Sequence, residues 1–409
     1  MISFKFIIVG AVFLCTYLLT CIKNSESAII SNFNVVNYGA KCDGKTDDGK
    51  PILEAWKQAC NSNIASTVVI PPGNYILGPV DFQGPCKAAV TVRVEGYLRA
   101  PSMLDVFKLR DGWIVFRDIS GLTIEGGGTF DGQGMIAWKE NNCAKSGSCS
   151  MPTNIRFTGI TNGEVNNITS LDSKMFHMNI IKCNYMTFKG ITIDAPVSSP
   201  NTDGIHIGRS SMINITGATI RTGDDCVSLG DGSQHISINN ITCGPGHGIS
   251  VGSLGKYPGE QPVVGVIVRN CTLVNTMNGL RVKTWPNSFN GIASGLHFQD
   301  IIIDNVSNPV LIDQDYCPDD LCKLQVPSKV KVSDVLFKNI KGTSATKMAI
   351  QLKCSKIMPC ENVTLDDIDL CYLGNKGNNR NTTSTATSEC FNVRPAIMGK
   401  LSPPPCLKS

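Results

Sequence analysis

The 409 residues could form one long domain or two to three ordinary ones, so length alone does not fix the domain count. Hydrophobic residues make up 42% of the chain and charged residues only 17%, which argues against a disordered protein. The formal net charge of +4 is too small to imply a nucleic-acid partner, although a mild positive charge would favour contact with an acidic polymer.

The N-terminal residues predict a secretory signal peptide. Lys5 is followed by an apolar run from Phe6 to Leu19, and a polar region ends near Ser27 and Ala28. We therefore expect residues 1–28 to be a signal, cleaved between residues 22 and 28, and the protein to be secreted to the extracellular space or cell wall. No later stretch approaches the ~20 apolar residues that a membrane span needs, so no membrane partner is expected.

Cysteine usage agrees with secretion. Two of the 18 cysteines lie in the predicted signal, and the remaining even number of 16 is expected to form disulfides in an oxidising compartment. Cys354 with Cys360 and Cys317 with Cys322 are candidate local pairs, while the other pairings stay open. No two cysteines stand at CxxC spacing, so a zinc ribbon is not expected.

The chain carries several Asn-x-Ser/Thr sequons, and glycosylation of some of them is expected in a secreted protein. The alternative is that several lie inside the repeat described below, where an asparagine can be buried and unmodified. The acceptor positions are Asn167, Asn214, Asn240, Asn270, Asn305, Asn362 and Asn381.

One amphipathic helix is predicted near the start of the mature chain. Between Gly49 and Cys60, apolar residues stand at helical spacing, and Thr46 or Asp47 is placed to cap the first turn. The aspartates of the preceding segment resemble a metal loop, but turn and capping roles explain them more simply.

From about residue 90 a strand-like repeat replaces helical periodicity. An apolar-x-apolar-x-x-apolar-x-apolar pattern recurs with starts at Met186, Ile213, Ile236, Val266, Leu296 and Val363. The first five starts are separated by 27, 23, 30 and 30 residues. Weaker copies are predicted to begin at Leu122, Ile155 and Val335.

Short alternating strands with this period predict a solenoid whose coils stack, and the commonest object of this kind is a parallel β-helix. A β-propeller is the main competitor, but it needs about four antiparallel strands in each blade of ~40 residues, which the irregular steps fit poorly. We therefore predict an all-β fold with one short N-terminal capping helix. The expected catalytic domain spans residues 29–390, and residues 391–409 form a C-terminal tail.

Acids, a histidine and two cations are concentrated in consecutive repeats. Asp203, Asp224 and His247 lie 21 and 23 residues apart, about one coil each, so stacking should bring them together. Asp225 can face the same cleft only if the chain bends after Gly223, because neighbouring strand residues point to opposite faces.

Close carboxylates resist ionising together, so one of them can stay protonated and serve as an acid beside ionised neighbours. Glycoside hydrolysis needs this division of labour. Arg281 and Lys283 alternate across Val282 and should project to one face, where they could bind substrate carboxylates. His247 is expected to support the acid, whereas His206 is expected to have a packing or ladder role.

Together, four motifs resemble those of the polygalacturonases, the pectin-hydrolysing glycoside hydrolases. The motifs are Asn201-Thr202-Asp203, Gly223-Asp224-Asp225, Gly246-His247-Gly248 and Arg281-Val282-Lys283. The similarity extends from Tyr38 through Asp172-Ser173-Lys174 to about Cys390. Two further stretches, Thr242 to Gly255 and Ile312 to Cys317, most resemble the plant pollen exopolygalacturonases.

The resemblance implies a right-handed parallel β-helix that hydrolyses α-1,4-linked galacturonan with inversion, without a cofactor or metal, as a monomer. By motif, Asp224 corresponds to the general acid, Asp203 and Asp225 to the pair that activates water, and His247 to the residue that supports the acid. The substrate-binding positions implied are Asn201, Arg281, Lys283 and Tyr316.

Exo action with release of galacturonate is expected, with an endo-acting enzyme as the alternative. Asp313 stands where endo-acting relatives tend to have Gln. Two other functions remain open from the residues. A pectate lyase would use Ca²⁺, because aligned aspartates can form a calcium site. A β-helix without activity would only bind cell-wall polymer.

Overall fold

The computed structural model describes residues 30–108, 110–140, 151–318, 322, 325–374 and 385–406. The predicted signal peptide, Cys143, Cys149 and the sequon at Asn381 lie outside these residues. Within them, no helix is both long and apolar enough to cross a membrane.

The described part of the β-helix is built from two long sheets in which every recorded strand pairing is parallel. The first sheet contains Ser31–Asn34, Asp43–Asp47, Ser66–Ile70, Asn74–Ile76, Val90–Val94, Tyr97–Arg99, Leu122–Glu125, Thr129–Asp131, Thr161–Asn166, Thr169–Leu171, Asn184–Lys189, Thr192–Asp194, Ser211–Thr216, Thr219–Arg221, Gln234–Asn239, Thr242–Cys243, Val263–Val274, Gly291–Val306, Val330–Ser344, Glu361–Tyr372 and Ala396–Ser402.

The second sheet contains Val80–Gln83, Gly112–Arg117, Thr153–Thr158, Met178–Ile181, Ile205–Gly208, Val227–Leu229, Ile249–Leu254, Asn278–Thr284, Asn308–Asp313, Met348–Lys353 and Thr387–Phe391. A typical coil consists of one strand of this sheet, a six-residue strand of the first sheet and a short third strand after a bend. Ile205–Gly208, Ser211–Thr216 and Thr219–Arg221 form one such coil. The predicted parallel β-helix is therefore confirmed, and right-handed coiling is the hand that parallel crossovers nearly always take.

Strand register confirms most of the predicted repeat. The apolar residues that open each copy pair with one another from coil to coil and are at most 1% exposed, so they form one continuous stack in the core. The stack is Met186, Ile213, Ile236, Val266, Leu296, Val335 and Val363.

The weak copy predicted at Ile155 is wrong. Ile155 pairs with Ile114 and Met178 in the second sheet, and the stack position next to Met186 is taken by Gly163. The pattern was misleading because strands of both sheets alternate inward apolar residues, so alternation alone does not tell which sheet a strand joins.

The predicted helix is present as α1, Gly49–Cys60. Its apolar face packs against the first strands of the solenoid, with Trp56 edge-on to Phe82 at 5.2 Å between ring centroids. The residue before the helix is Asp48, while the Asp47 carboxylate accepts the Gly49 N–H at 2.8 Å, so Asp47 makes the predicted capping contact. A second short helix, α2, spans Met135–Glu140, and two 3₁₀ helices span Val35–Tyr38 and Leu104–Phe107.

At the other end of the chain, strand addition continues past residue 390, where we expected the β-helix domain to end. Ala396–Ser402 pairs with Thr364–Asp369, and a disulfide joins Cys390 to Cys406. Part of the segment that we expected to be a tail is therefore a strand of the first sheet.

The disulfide prediction holds only in part. Both local pairs, Cys317–Cys322 and Cys354–Cys360, are formed, as are Cys60–Cys86, Cys226–Cys243 and Cys390–Cys406. Cys42, Cys183, Cys271 and Cys371 are free, so the expectation that all mature cysteines pair is wrong. Cys183 and Cys271 are buried in the core, where a thiol packs as a small apolar side chain, and burial raises the pKa of each to about 11.

The sequon asparagines within the described residues are not buried. Asn167, Asn240, Asn270 and Asn362 are exposed, whereas Asn214 and Asn305 are half-buried. Burial therefore does not exclude modification of these six positions.

Candidate active site

The predicted residues converge where successive coils of the chain enter the second sheet. Ile205 pairs with Val227 and Val227 with Ile249, so counting two residues back places Asp203, Asp225 and His247 at equivalent points of three coils. We predicted that Asp224 would occupy the middle position. The register assigns that position to Asp225, and Asp224 precedes it by one residue.

A bend after the short strand Thr219–Arg221 allows both aspartates to face one cleft. Gly223 approaches the Ser199 carbonyl so closely that a Cβ atom there would lie 2.0 Å from the oxygen, which excludes any larger residue. The Thr202 hydroxyl accepts the Gly223 N–H at 3.1 Å and fixes the bend to the preceding coil. Carboxylate oxygens of Asp224 and Asp225 and a ring nitrogen of His247 consequently lie within 4.8 Å of one another.

Neighbouring contacts hold the bend in place on both sides. The residue after Asp225 forms the Cys226–Cys243 disulfide, with a Cα–Cα distance of 5.9 Å. Gly248 has φ of +87°, and a Cβ atom there would lie 2.1 Å from the Asn278 carbonyl oxygen. Only glycine accepts both this conformation and this contact, so the His247 turn packs directly against the next coil.

Asp225 is a fully buried anion held by three donors. Ser250 Oγ and Arg281 Nη2 donate to its Oδ1 at 2.7 and 2.8 Å, and Lys283 Nζ donates to its Oδ2 at 2.8 Å. Burial alone would raise the pKa of Asp225, but Lys283 and Arg281 hold it at about 2. This carboxylate is therefore ionised at any ordinary working pH.

Asp203 is buried, and no described residue brings a cation into direct contact with it. Ser228 Oγ donates to its Oδ2 at 2.7 Å. Burial, followed by the nearby charges of Asp224 and Asp225, raises the pKa of Asp203 well above its ordinary value. Among these residues, Asp203 thus holds a proton more readily than an isolated carboxyl would.

Ser228 extends this contact to His206, which lies at 2.8 Å through Nδ1. Because the serine hydroxyl donates to Asp203, the histidine Nδ1–H donates to the serine oxygen. Burial lowers the pKa of His206 to about 4, so the ring is neutral in this chain of hydrogen bonds. His206 therefore pairs with Ser228 in the sheet and is also connected to Asp203 through the Ser228 hydroxyl.

Asp224 is the acid that is most open to the cleft. Its side chain is 20% exposed, compared with 1% for Asp225. Its Oδ1 accepts the Asp225 N–H at 2.8 Å and lies 3.0 Å from His247 Nδ1. These two contacts leave Oδ2 as the oxygen that can reach a ligand.

Arg281 and Lys283 lie beside the acids, but their charged groups already contact Asp225. Both are 7% exposed. Burial would lower the pKa of Lys283, but Asp225 raises it above the ordinary value, so the lysine remains charged. The Tyr316 ring lies 5.7 Å from the guanidinium carbon of Arg281 and 5.1 Å from Lys283 Nζ, so all three line one wall of the cleft. Asn201 occupies the turn before Asp203 with φ of +55°.

The geometry makes a divalent metal a poor fit. Asp224, Asp225 and His247 are close enough to share an ion. However, both Asp225 oxygens already accept hydrogen bonds from Arg281 or Lys283, and these two cations would repel a metal ion bound between them.

The sequence reasoning missed two serines. Ser228 and Ser250 donate to Asp203 and Asp225 respectively, and they pair with each other in the second sheet. The sequence did carry a signal for these serines. A polar residue stands three positions after each of the three aligned site residues: His206 after Asp203, Ser228 after Asp225 and Ser250 after His247. Arg281 pairs with Ser250 and continues the same row.

Comparison with known proteins identifies the family of the chain. Residues 60–394 match the family described as glycosyl hydrolases family 28. The chain is 54% identical over 370 residues to an exopolygalacturonase of Arabidopsis thaliana, covering 90% of this chain and 81% of the relative. It is 50% identical to an exopolygalacturonase of Oenothera organensis, covering 88% and 98% of the two chains.

Among solved structures, the endo-xylogalacturonan hydrolase of Aspergillus tubingensis superposes with a TM-score of 0.76 and 26% identity, covering 90% of this chain and 99% of the other. The fold, the site and the extent of these matches lead to one conclusion: the chain belongs to glycosyl hydrolases family 28.

Proposed function

We propose that the protein is a secreted, exo-acting polygalacturonase that hydrolyses the α-1,4 bonds of galacturonan and releases galacturonate. In this proposal the enzyme is a monomer and needs no metal. The observation that carries the proposal is the set of carboxyls in one cleft, with Asp225 held ionised, Asp203 shifted toward protonation and Asp224 open to a ligand. The names of the close relatives support galacturonan as substrate and exo action as the mode.

Asp224 is proposed as the general acid. Its side chain is partly exposed and is the one that can reach the glycosidic oxygen, while His247 contacts its Oδ1. Protonation of the leaving oxygen needs a group that is protonated at the working pH, and close carboxyls titrate as a coupled set.

Asp203 and Asp225 are proposed to bind and activate water. Inverting enzymes usually separate their carboxyls by ~6.5–9.5 Å, whereas carboxylate oxygens of Asp224 and Asp225 approach within 4.8 Å. That short distance alone would favour a covalent nucleophile. We still favour inversion, because covalent attack by Asp225 would have to disrupt the contacts that Ser250, Arg281 and Lys283 make with its two oxygens. The anomeric configuration of the first product decides between inversion and a covalent, retaining mechanism.

Substrate recognition is proposed for Asn201, Arg281, Lys283 and Tyr316. Arg281 and Lys283 lie beside Asp225 and the Tyr316 ring, and a substrate carboxylate can share their remaining N–H donors. An acidic polymer would therefore meet positive charge at the same wall that holds the water-activating pair.

Asp224→Asn tests the proposal against a polymer-binding protein without activity. The variant keeps the shape of the side chain but removes the proton donor, so hydrolysis of polygalacturonate should fall by about 10²- to 10⁴-fold. Unchanged hydrolysis would overturn the assignment, and a wild-type protein that binds the polymer without cleaving it would favour the binding protein.

Chelation tests the alternative of a calcium-dependent lyase. Hydrolysis should continue in excess chelator, and no unsaturated uronide absorbing in the ultraviolet should form. Loss of activity on chelation would contradict a metal-independent hydrolase.

A further inference from the structure

His206 lies beside the proposed water-activating pair, but the proposed mechanism gives it no part. Its strand, Ile205–Gly208, begins two residues after Asp203, and its side chain is half-buried on the face of the second sheet that carries Ser228. His206 Nδ1 lies 2.8 Å from Ser228 Oγ, and the Ser228 hydroxyl donates to Asp203 Oδ2 at 2.7 Å. A histidine ring thus stands one side chain away from a proposed base.

The tautomer of His206 decides the direction in which Ser228 donates. Ser228 is 2% exposed and has one hydroxyl hydrogen, so neighbouring protein groups fix where that hydrogen points. With its proton on Nε2, the histidine would offer the Nδ1 lone pair as an acceptor in competition with Asp203. With its proton on Nδ1, it donates to the serine oxygen and leaves the hydroxyl hydrogen to Asp203. Hydrogen bonds in such a series strengthen one another.

The ring of His206 is fixed by its packing. Phe176 stacks on it with 4.9 Å between ring centroids and 27° between the planes. On the next coil, a Cβ atom at Gly230 would lie 3.2 Å from His206 Cε1 and 3.3 Å from Nε2, so glycine leaves the space that the ring occupies. These contacts hold Nδ1 in line with Ser228.

The charges around His206 keep it neutral. Burial lowers its pKa to about 4, and the positive charges of Lys283 and Arg156 act in the same direction. Asp225 and Asp231 oppose the shift but do not reverse it. A neutral ring has one N–H, which is enough to donate to the serine without adding a positive charge beside Asp203.

We infer that His206 is a positioning residue for Asp203, whose Nδ1–H holds the Ser228 hydroxyl as a hydrogen-bond donor to the Asp203 carboxylate. The inference rests on the proposed function, because it assumes that ionised Asp203 activates water. It requires no contact between His206 and the substrate.

The kinetic test compares two substitutions of His206. His206→Phe keeps a ring against Phe176 but removes the donor, so ionised Asp203 is less stabilised and the acid limb of kcat/KM on trigalacturonate should move to higher pH. Below the pKa, kcat/KM should fall by about two- to tenfold, the effect of one hydrogen bond, through kcat with KM unchanged. His206→Asn restores an N–H donor at about the position of Nδ1 and should retain most of the wild-type profile.

A double-mutant cycle tests whether the effect passes through the serine. In a Ser228→Ala background, His206→Phe should move the acid limb no further. His297→Phe is the control, because His297 lies in the first sheet and pairs with Ile267 and Leu336. Additive shifts, an unmoved limb in His206→Phe, equal effects of Phe and Asn, or a rise in KM alone would each overturn the inference.

The tautomer can be measured without turnover by two-bond ¹H–¹⁵N NMR of histidine-labelled protein. The chain has five histidines, and His206→Asn identifies the signal of His206. At a pH where Asp203 is ionised, His206 should be neutral with its proton on Nδ1; a proton on Nε2 would overturn the inference. A wild type that hydrolyses no galacturonan would refute the proposed function, whereas the tautomer would still decide whether His206 directs Ser228.

Discussion

Ser228→Ala should displace the acid limb of the pH profile to higher pH. The Ser228 hydroxyl donates to Asp203 at 2.7 Å and so stabilises the ionised carboxylate. A hydrogen bond to a charged group contributes about 1.5–3 kcal/mol, and one pKa unit corresponds to about 1.4 kcal/mol. Because neutral Asp203 could also bond the serine, we take the lower end, which is about a tenfold change in the protonation equilibrium, and expect the pKa of Asp203 to rise.

If ionised Asp203 activates water, kcat/KM measured below that pKa should fall about tenfold in the variant and recover as pH rises. The assay is kcat/KM on trigalacturonate across the acidic range. Ser237→Ala serves as the control, because Ser237 lies in the first sheet and pairs with Asn214 and Ile267. An unmoved acid limb would refute the water-activating role, and a displaced alkaline limb would instead identify Asp203 as the acid.

Two further substitutions test the environment of Asp225. Lys283→Met breaks a buried ion pair and should lower the free energy of unfolding by about 3–5 kcal/mol, measured by chemical denaturation; an unchanged midpoint and slope would contradict the buried pair. Asp225→Asn removes the anion that pairs with the buried Arg281 and Lys283, so it should also destabilise the protein; in the folded fraction kcat should fall by about 10²-fold or more, because the ionised partner for water is lost. A kcat within a few-fold of the wild type would show that Asp225 does not assist the reaction.

The architecture was predictable because the repeat carries the stacking information. Residues such as Ile213 and Ile236 are inward at equivalent points of their coils, and their spacing alone predicted the stack that the register confirms. The helix Gly49–Cys60 was predictable for a related reason, since only one face of it is apolar. These features depend on local periodicity, which the sequence displays directly.

Convergence of the site was predictable, but its detailed register was not. Spacing placed Asp224 level with Asp203, whereas the strand pairs place Asp225 there, because the number of residues in each turn cannot be read from the repeat. The contact of Arg281 and Lys283 with Asp225 was also missed. Alternation predicts that two cations share a face, but it does not predict which anion they reach.

The free thiols show a second limit of prediction from sequence, which concerns cysteine pairing. An even number of cysteines is compatible with full pairing, yet Cys183 and Cys271 lie in the core. A single inward cysteine in a repeat has the same pattern as an alanine or valine, so sequence spacing cannot separate a packed thiol from half of a disulfide.

The most direct test of the account is proton NMR of the first products formed from trigalacturonate. Inverting, exo-acting hydrolysis through Asp224 predicts that free β-galacturonate appears first and only later equilibrates with the α form. Initial release of the α anomer would contradict the account, because it would require covalent attack by a carboxylate such as Asp225.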